Sequence, residues 1–292
     1  MARWTERMSV GGTDLRATQY TRYLRRGLLH VGIVTLIGLI VSPLVFALIL
    51  STQTVQEAYD VGFLWIGTAG VENYLTALSK YGLGRYVLNS LLMAVVIVAG
   101  KLTFSLLAAL ALVYYQFRFK RLVFFFILFT LMFPVPVRIV PLFELMVDLG
   151  WTNSLLAITT PYLAGAASIF LLRQHFRSIP ASLAEAAKID GVGPLKFLVY
   201  VLIPMSKGMI AGLGVITFVA AWNQYLWPLI AISENEKQVV QVGIKSLQSV
   251  RVAGQTDWGL VMAGTVLTLL APLVVLLLAH RSLLHTFGME AG

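Results

Sequence analysis

Two cations stand where the surrounding residues are almost wholly apolar. Lys101 interrupts the run from Tyr86 to Tyr115, and Arg138 falls near the end of the run from Leu122 to about Val140. A lysine at the centre of a lipid-spanning helix costs ~2.5 to 3.5 kcal/mol on insertion scales, so Lys101 must face protein or a hydrated path. An anionic group such as a phosphate would give it a reason to be there, and Arg138 can offer its planar fork to an anionic oxygen. The same residues permit a structural reading. Lys101 can pair with a carboxylate or carbonyls of a neighbouring subunit, and Arg138 can bond the carbonyls freed where prolines break a helix. A third group, Trp222, Asn223, Gln224 and Tyr225 in the stretch Trp222 to Pro228, suits a polyol, with aromatic faces for its CH groups and amides for its hydroxyls. Interfacial aromatics or interhelical amide pairs account for that group equally well. Asn223 and Gln224 are the better cavity-lining candidates, because buried amides need partners.

Other chemistry is excluded by residue type and spacing. The chain has no cysteine, so thiolate nucleophiles, thiolate metal sites and disulfides are out. Its four histidines, His30, His175, His280 and His285, are scattered near the edges of apolar runs. No catalytic residue and no metal site is expected. A phosphate-cradling nucleotide loop needs Gly-x-x-x-x-Gly-Lys-Ser/Thr. The nearest match, Gly100-Lys101, has Val95 in place of the first glycine and Leu102 in place of the hydroxyl.

The elements that must position these residues are membrane helices. Of 292 residues, 58% are hydrophobic and only 12% charged, and the mean hydropathy is +0.83, which together describe a polytopic membrane protein. Crossing ~30 Å of hydrocarbon takes about 20 mostly apolar residues. Six stretches qualify. Gly27 to Leu50, Trp151 to Leu172, Gly208 to Ser233 and Trp258 to His280 hold no Lys, Arg, Asp or Glu; the other two are the runs around Lys101 and before Arg138. Pro134, Pro136 and Pro141 should bend or end the third of them, a break tolerated at membrane depth only beside protein or a water-filled cavity.

Charge sets the orientation. With the polar tail 1–26 in the cytoplasm, the segments 116–121, 173–207 and the tail 281–292 lie there too, and these four hold fifteen Lys and Arg against five in the external segments. Acidic residues run the other way, five inside and eight outside. The positive-inside rule is satisfied, so the net charge of +9 reflects topology and implies no nucleic-acid partner. The expected organisation is a cytoplasmic tail 1–26, a first membrane helix 27–50 that is an uncleaved anchor, an external loop 51–85, a core 86–280 with five further spans, and a cytoplasmic tail 281–292.

The cytoplasmic loop 173–207 is punctuated as two short helices around a turn. Ser182 is placed to cap the first, with Glu185 completing a capping box. Asp190-Gly191 and Gly193-Pro194 break it, and Pro194 can start a second helix that ends before Pro204. Glu185-Ala186-Ala187, then Gly191, then Val201-Leu202-Ile203-Pro204 resembles the EAA loop of the membrane subunits of bacterial ATP-binding-cassette importers, with Val201 and Ile203 where the pattern usually shows isoleucine and leucine. The likeness extends over nearly the whole chain from about residue 28. Glu72-Asn73-Tyr74, the Pro134 to Pro141 segment and Trp222 to Pro228 are similar to the carbohydrate-uptake, maltose-permease-like branch. Gly100-Lys101-Leu102-Thr103, Leu131 to Ile139, Glu185 to Gly191 and Gly243-Ile244-Lys245 most resemble the second permease subunits of glycerol-3-phosphate importers.

The resemblance implies an all-α membrane protein of six transmembrane helices with the type I importer permease fold, in a bacterial-type plasma membrane. It implies a coupling helix around Glu185, Ala186, Ala187, Asp190, Gly191 and Pro204 that docks on a separate ATPase. The implied partners are a second, homologous permease, two ATPase copies and an external solute-binding protein, with lipid around them. ATP and Mg would be bound by the ATPase and no cofactor by this chain. The expected cargo is glycerol-3-phosphate or a glycerophosphodiester; a neutral disaccharide is the alternative. A self-sufficient secondary transporter would need coupling carboxylates, yet no Asp or Glu lies in the central part of any span.

Overall fold

In the computed structural model, which describes residues 11–60 and 65–286, the apolar runs are helical, since lipid offers the backbone no other partners. The first helix, α1 (Gly11–Leu50), carries the membrane stretch Arg26–Leu50 and begins inside the segment read as a polar tail. Short helices α2 (Val55–Tyr59) and α3 (Gly70–Leu75) lead to the second span, α4 (Leu83–Tyr114). The third span starts as α5 (Lys120–Phe129) and bends by 105° at Phe133-Pro134 into α6 (Val135–Asp148). Pro134 and Pro136 make the break the sequence predicts. Pro141, expected to act with them, sits inside α6, where the bond it forgoes belongs to the helix's first turns.

The fourth span is α7 (Leu155–Thr159) with a tight turn to Tyr162, then α8 (Ala166–Ser178) at 41° to it. Trp151 to Leu172 read as an uninterrupted apolar run; the structure breaks it at Leu163–Gly165. The loop helices follow as α9 (Ala181–Ile189), α10 (Pro194–Phe197) and α11 (Ile203–Met205), the last two joined by a π-turn over Leu198–Leu202. After a bend of 84° at Ser206 the fifth span rises as α12 (Lys207–Trp222), turns at Asn223–Tyr225 and resumes as α13 (Leu226–Ala231). Then come α14 (Val240–Leu247), a two-stranded hairpin of β1 (Arg251–Val252) and β2 (Gln255–Thr256), and the sixth span, α15 (Trp258–Thr286).

Two apolar clusters hold the bundle. One, around Met93, Ile97, Phe218, Trp222 and Leu260, fills the half away from α9. The other, around Leu106, Leu172, Phe176 and Leu202, fills the α9 half. At the end away from α9, side chains stitch onto backbone. Asn89 Nδ2 donates to the carbonyls of Glu236 and Gln238, both at 2.9 Å, and Val240 N–H donates to Ser90 Oγ at 2.8 Å. Asn153 Oδ1 accepts from the N–H groups of Ser233 and Glu234. Buried Asn73 donates to the carbonyls of Ser51 and Gln53 at 3.0 and 2.8 Å, fixing the turn that ends α1.

Candidate functional site

The two span breaks face each other across a cavity of about 630 Å³, and Lys101 and Arg138 both line it. Lys101 comes from the middle of α4, where the run of small and apolar residues keeps the helix intact around it. Arg138 comes from the first turns of α6, carried there by the 105° bend. Tyr162, Gly165, Ala166, Ser168 and Trp227 complete the wall. Among the described residues no carboxylate forms an ion pair with either cation.

Gly165 explains how Lys101 is held. A Cβ built there would lie 3.0 Å from Lys101 Cδ and 3.2 Å from Cε, so the bare glycine gives the lysine stem its groove. One residue before Lys101, a Cβ at Gly100 would meet Leu163 at 2.5 Å. Side chains of each element therefore fill the space that glycine leaves on the other: Leu163 sits against Gly100 of α4, and Lys101 against Gly165 at the start of α8. Gly165 is also the N-cap of α8. The first helical bond runs from Ile169 N–H to Gly165 carbonyl at 3.0 Å, which leaves the N–H groups of Ala166, Ala167 and Ser168 at the positive end of the helix, beside the cavity. Two cations and a helix N-terminus thus converge on one space, an arrangement that attracts an anion.

The aromatic and amide candidates lie elsewhere. Trp222 is 1% exposed, stacked on Phe218 with ring centroids 5.8 Å apart in the apolar core, and its Nε1 has no acceptor among the described residues. Asn223 is exposed and accepts from Gln241 Nε2 at 3.2 Å. Gln224 and Tyr225 are half-buried at the turn between α12 and α13. None of the four lines the Lys101–Arg138 cavity. The residue of this segment that does is Trp227, whose Nε1 donates to the Ala157 carbonyl at 3.0 Å and ties span five to span four. Sequence reasoning passed over Tyr162 and Gly165, and within the stretch Trp222 to Pro228 it favoured the amides over Trp227. The small-residue run Ala164-Gly165-Ala166-Ala167-Ser168 was the available signal for a span break.

At the other candidate site, α9 is set by backbone geometry. Ser182 was expected to cap it, but the helix starts two residues earlier: Pro180 is the N-cap, at φ −56° and ψ 131°, with no side-chain cap, and Ser182 lies inside the first turn. The proline ring presets the extended entry that a serine cap would otherwise stabilise. The C-terminus closes with paired reverse bonds, Val192 N–H to Ala187 carbonyl at 2.8 Å and Gly191 N–H to Lys188 carbonyl at 3.1 Å. Gly191 takes φ +67° to make them, the Schellman arrangement that favours glycine. Asp190 is the C-cap. The second loop helix, expected to end before Pro204, runs on through it to Met205, because the π-turn at Leu198–Leu202 absorbs the missing donor.

Ala184 and Ala187 lean on the apolar cluster beneath α9, while Glu185 and Ala186 point out. Beside them stand Ile189 (86% exposed), Tyr200 (75%) and Leu195 (62%). A rigid, capped helix bearing small residues and large uncovered apolar ones is a docking surface for another protein.

Residues 101–283 match the family described as binding-protein-dependent transport system inner membrane component. The sn-glycerol-3-phosphate transport system permease protein UgpE of Pectobacterium atrosepticum is 39% identical over 267 residues, covering 88% of this chain and 95% of that protein. UgpE of Escherichia coli O1:K1 is 39% identical over 261 residues, covering 87% and 92%. A crystal structure of a bacterial ABC transporter involved in the import of the acidic polysaccharide alginate superposes with a TM-score of 0.75 at 23% identity, over 91% of this chain and 97% of that one, a likeness of fold. The chain belongs to the binding-protein-dependent transport system inner membrane components, and is a multi-pass permease subunit of an ATP-binding-cassette importer.

Proposed function

We infer that this permease imports glycerol-3-phosphate or a closely related glycerophosphodiester. The observation that carries the reading is the convergence of Lys101, Arg138 and the N-terminus of α8 on one cavity at the span breaks. A phosphate monoester passing there would meet two cations and unpaired N–H groups, each stronger away from bulk water. The 39% identity to UgpE supports the same cargo class. A neutral sugar would leave both cations unmatched.

The α9 end faces the cytoplasm in this reading, as do both chain termini, in keeping with the charge asymmetry of the loops. The chain itself is non-catalytic and holds no cofactor. ATP and Mg sit on two ATPase copies, which grip α9 through Glu185, Ala186, Ala187, Asp190 and Gly191, with Pro204 shaping the second loop helix. A second, homologous permease closes the other wall of the path, and an external binding protein delivers cargo to the opposite end. Closure of the ATPases draws α9 as a rigid body and opens the path outward; hydrolysis resets it.

The test is ATPase stimulation in the reconstituted complex by binding protein loaded with glycerol-3-phosphate, a glycerophosphodiester or maltose, with wild-type and Lys101→Met permease. Stimulation by the phosphate compounds, with transport of them lost in the variant, is the expected result. Stimulation by maltose alone overturns the cargo assignment and leaves the coupling role standing.

A further inference from the structure

Four more cations gather at the α9 end, beside the coupling helix and away from the Lys101–Arg138 cavity. Lys120 and Arg121 open α5, and Arg173 and Arg177 lie one turn apart on α8; together with Leu112, Gln116, Phe124 and Phe125 they line a cavity of about 460 Å³. Among the described residues none of the four is ion-paired. Lys120 Nζ is spent on backbone, donating to the Val113 and Tyr115 carbonyls at 3.2 and 2.6 Å. Arg173 is different. Its guanidinium carbon lies 3.9 Å from the centroid of the Phe124 ring, and its Nε is buried without an acceptor among the described residues. Glu185 lines the adjoining cavity with Lys120, Arg173, Arg177 and Lys188.

Depth distinguishes the occupants such a pocket could take. Phe124 lies within the apolar stretch of α5, and its neighbours Leu122, Phe125 and Phe126 are 65%, 65% and 67% exposed on the first half of the broken third span. The Arg173 guanidinium therefore sits at the level where headgroup meets hydrocarbon, with lipid-facing aromatic surface directly below the cations. Glu185, the carboxylate that lines the adjoining cavity, forms no ion pair with it among the described residues. The phosphate of a phospholipid is already at that level, and its acyl chains would run along Phe125 and Phe126. Basic pockets between membrane helices bind anionic headgroups on this principle.

We propose that Lys120, Arg121, Arg173 and Arg177 form a binding site for an anionic phospholipid, with the phosphate on Arg173 and Arg177 and an acyl chain against the exposed aromatics of α5. The site is independent of the cargo reading. Its effect is mechanical: a lipid bound between α5 and α8 bridges the two broken spans whose breaks form the cargo cavity.

The complete transporter is placed in phosphatidylcholine nanodiscs containing a minor fraction of phosphatidylglycerol, and bound lipid is read by native mass spectrometry. Each cation near a headgroup contributes about five-fold in affinity. Retained phosphatidylglycerol should fall at least about five-fold in Arg173→Gln/Arg177→Gln, and also in Arg121→Gln/Arg177→Gln, which leaves the Arg173–Phe124 contact intact and guards against misfolding of the first variant. Inorganic phosphate added at millimolar concentration should not displace the lipid. Equal retention in wild type and both variants overturns the proposal. So does displacement by free phosphate, which would make the site a soluble-anion site, and so does loss of the ATPase or second permease with lipid retention unchanged, which would make it a protein interface.

Discussion

Gly191 and Gly193 stand two residues apart in the same turn, and a Cβ at either would meet no atom within 4 Å. They differ in backbone sign: Gly191 has φ +67° and Gly193 has φ −68° with ψ 160°. Substituting alanine at each isolates the conformational cost from any clash. At Gly193 the extended conformation suits any residue, so the change should be near neutral. At Gly191 an L-residue in the left-handed region costs ~1 to 2 kcal/mol. Free in solution the turn can relax to avoid that cost and lose the Schellman bonds. Docked on the ATPase it is held, so the cost falls on association. Dividing by RT, Gly191→Ala should raise the dissociation constant between permease and ATPase by about 5- to 30-fold, with Gly193→Ala unchanged and Gly191→Asn in between. Biolayer interferometry on nanodisc-embedded permease pairs measures this directly. Equal effects of Gly191→Ala and Gly193→Ala would refute the claim that the turn geometry, and not the mere presence of glycine, sets the angle of α9.

Trp227→Phe should lower the thermal midpoint more than Trp222→Phe: the first leaves the Ala157 carbonyl buried and unpaired, a cost of about 1 to 3 kcal/mol, whereas Trp222 Nε1 has no acceptor to lose. Asn73→Ala removes the donor to two backbone carbonyls and should destabilise by about 2 kcal/mol or more, read as faster hydrogen exchange over 51–60. Glu57, which completes a capping box with Thr54 at α2, has its carboxyl held below the usual range, chiefly by the Thr54 backbone N–H, which together with the bonds from Thr68 outweighs the opposing effect of burial. A depressed folded value means the cap stabilises α2 above the ordinary carboxylate pKa and is lost as pH falls through the folded one. Hydrogen exchange of α2 should therefore quicken on acidification, and Glu57→Gln should abolish that dependence. Gly165→Val should push the Lys101 stem aside and reduce transport at least as much as Lys101→Met, with ATPase binding unchanged.

Hydropathy made the six spans legible, and prolines made the break in span three legible, because both signals lie in single residues or contiguous runs. The break in span four left only a faint signal, Pro161 and the small-residue run Ala164 to Ser168 inside an otherwise apolar stretch. At the break Gly100 packs against Leu163 and Lys101 against Gly165, a pairing between residues more than sixty positions apart that no local pattern gives. The same holds for the cavity. Lys101 and Arg138 each looked out of place alone, but their sharing one space depends on a 105° bend whose size no local pattern gives. At α9, Ser182 and Glu185 had the spacing of a capping box, and Pro180 outcompeted them by starting the helix earlier. The box that does form, Thr54 with Glu57, lay unread in the external loop 51–85. Trp222 offered the chemistry of a sugar platform, and packing against Phe218 used its face instead.

The stitching at the end away from α9 has a kinematic consequence. Asn89, Ser90 and Asn153 reach main-chain atoms of residues 233–240, so α4, the start of α7 and the segment leading into α14 share one scaffold of short bonds. Such a scaffold behaves as a lid plate with no internal joint. Any swing that admits cargo must then be taken up at the bends at Phe133, Leu163 and Ser206, and paired spin labels within the plate, on Arg85 and Lys237 for instance, would keep one separation through the cycle while labels spanning a bend would not.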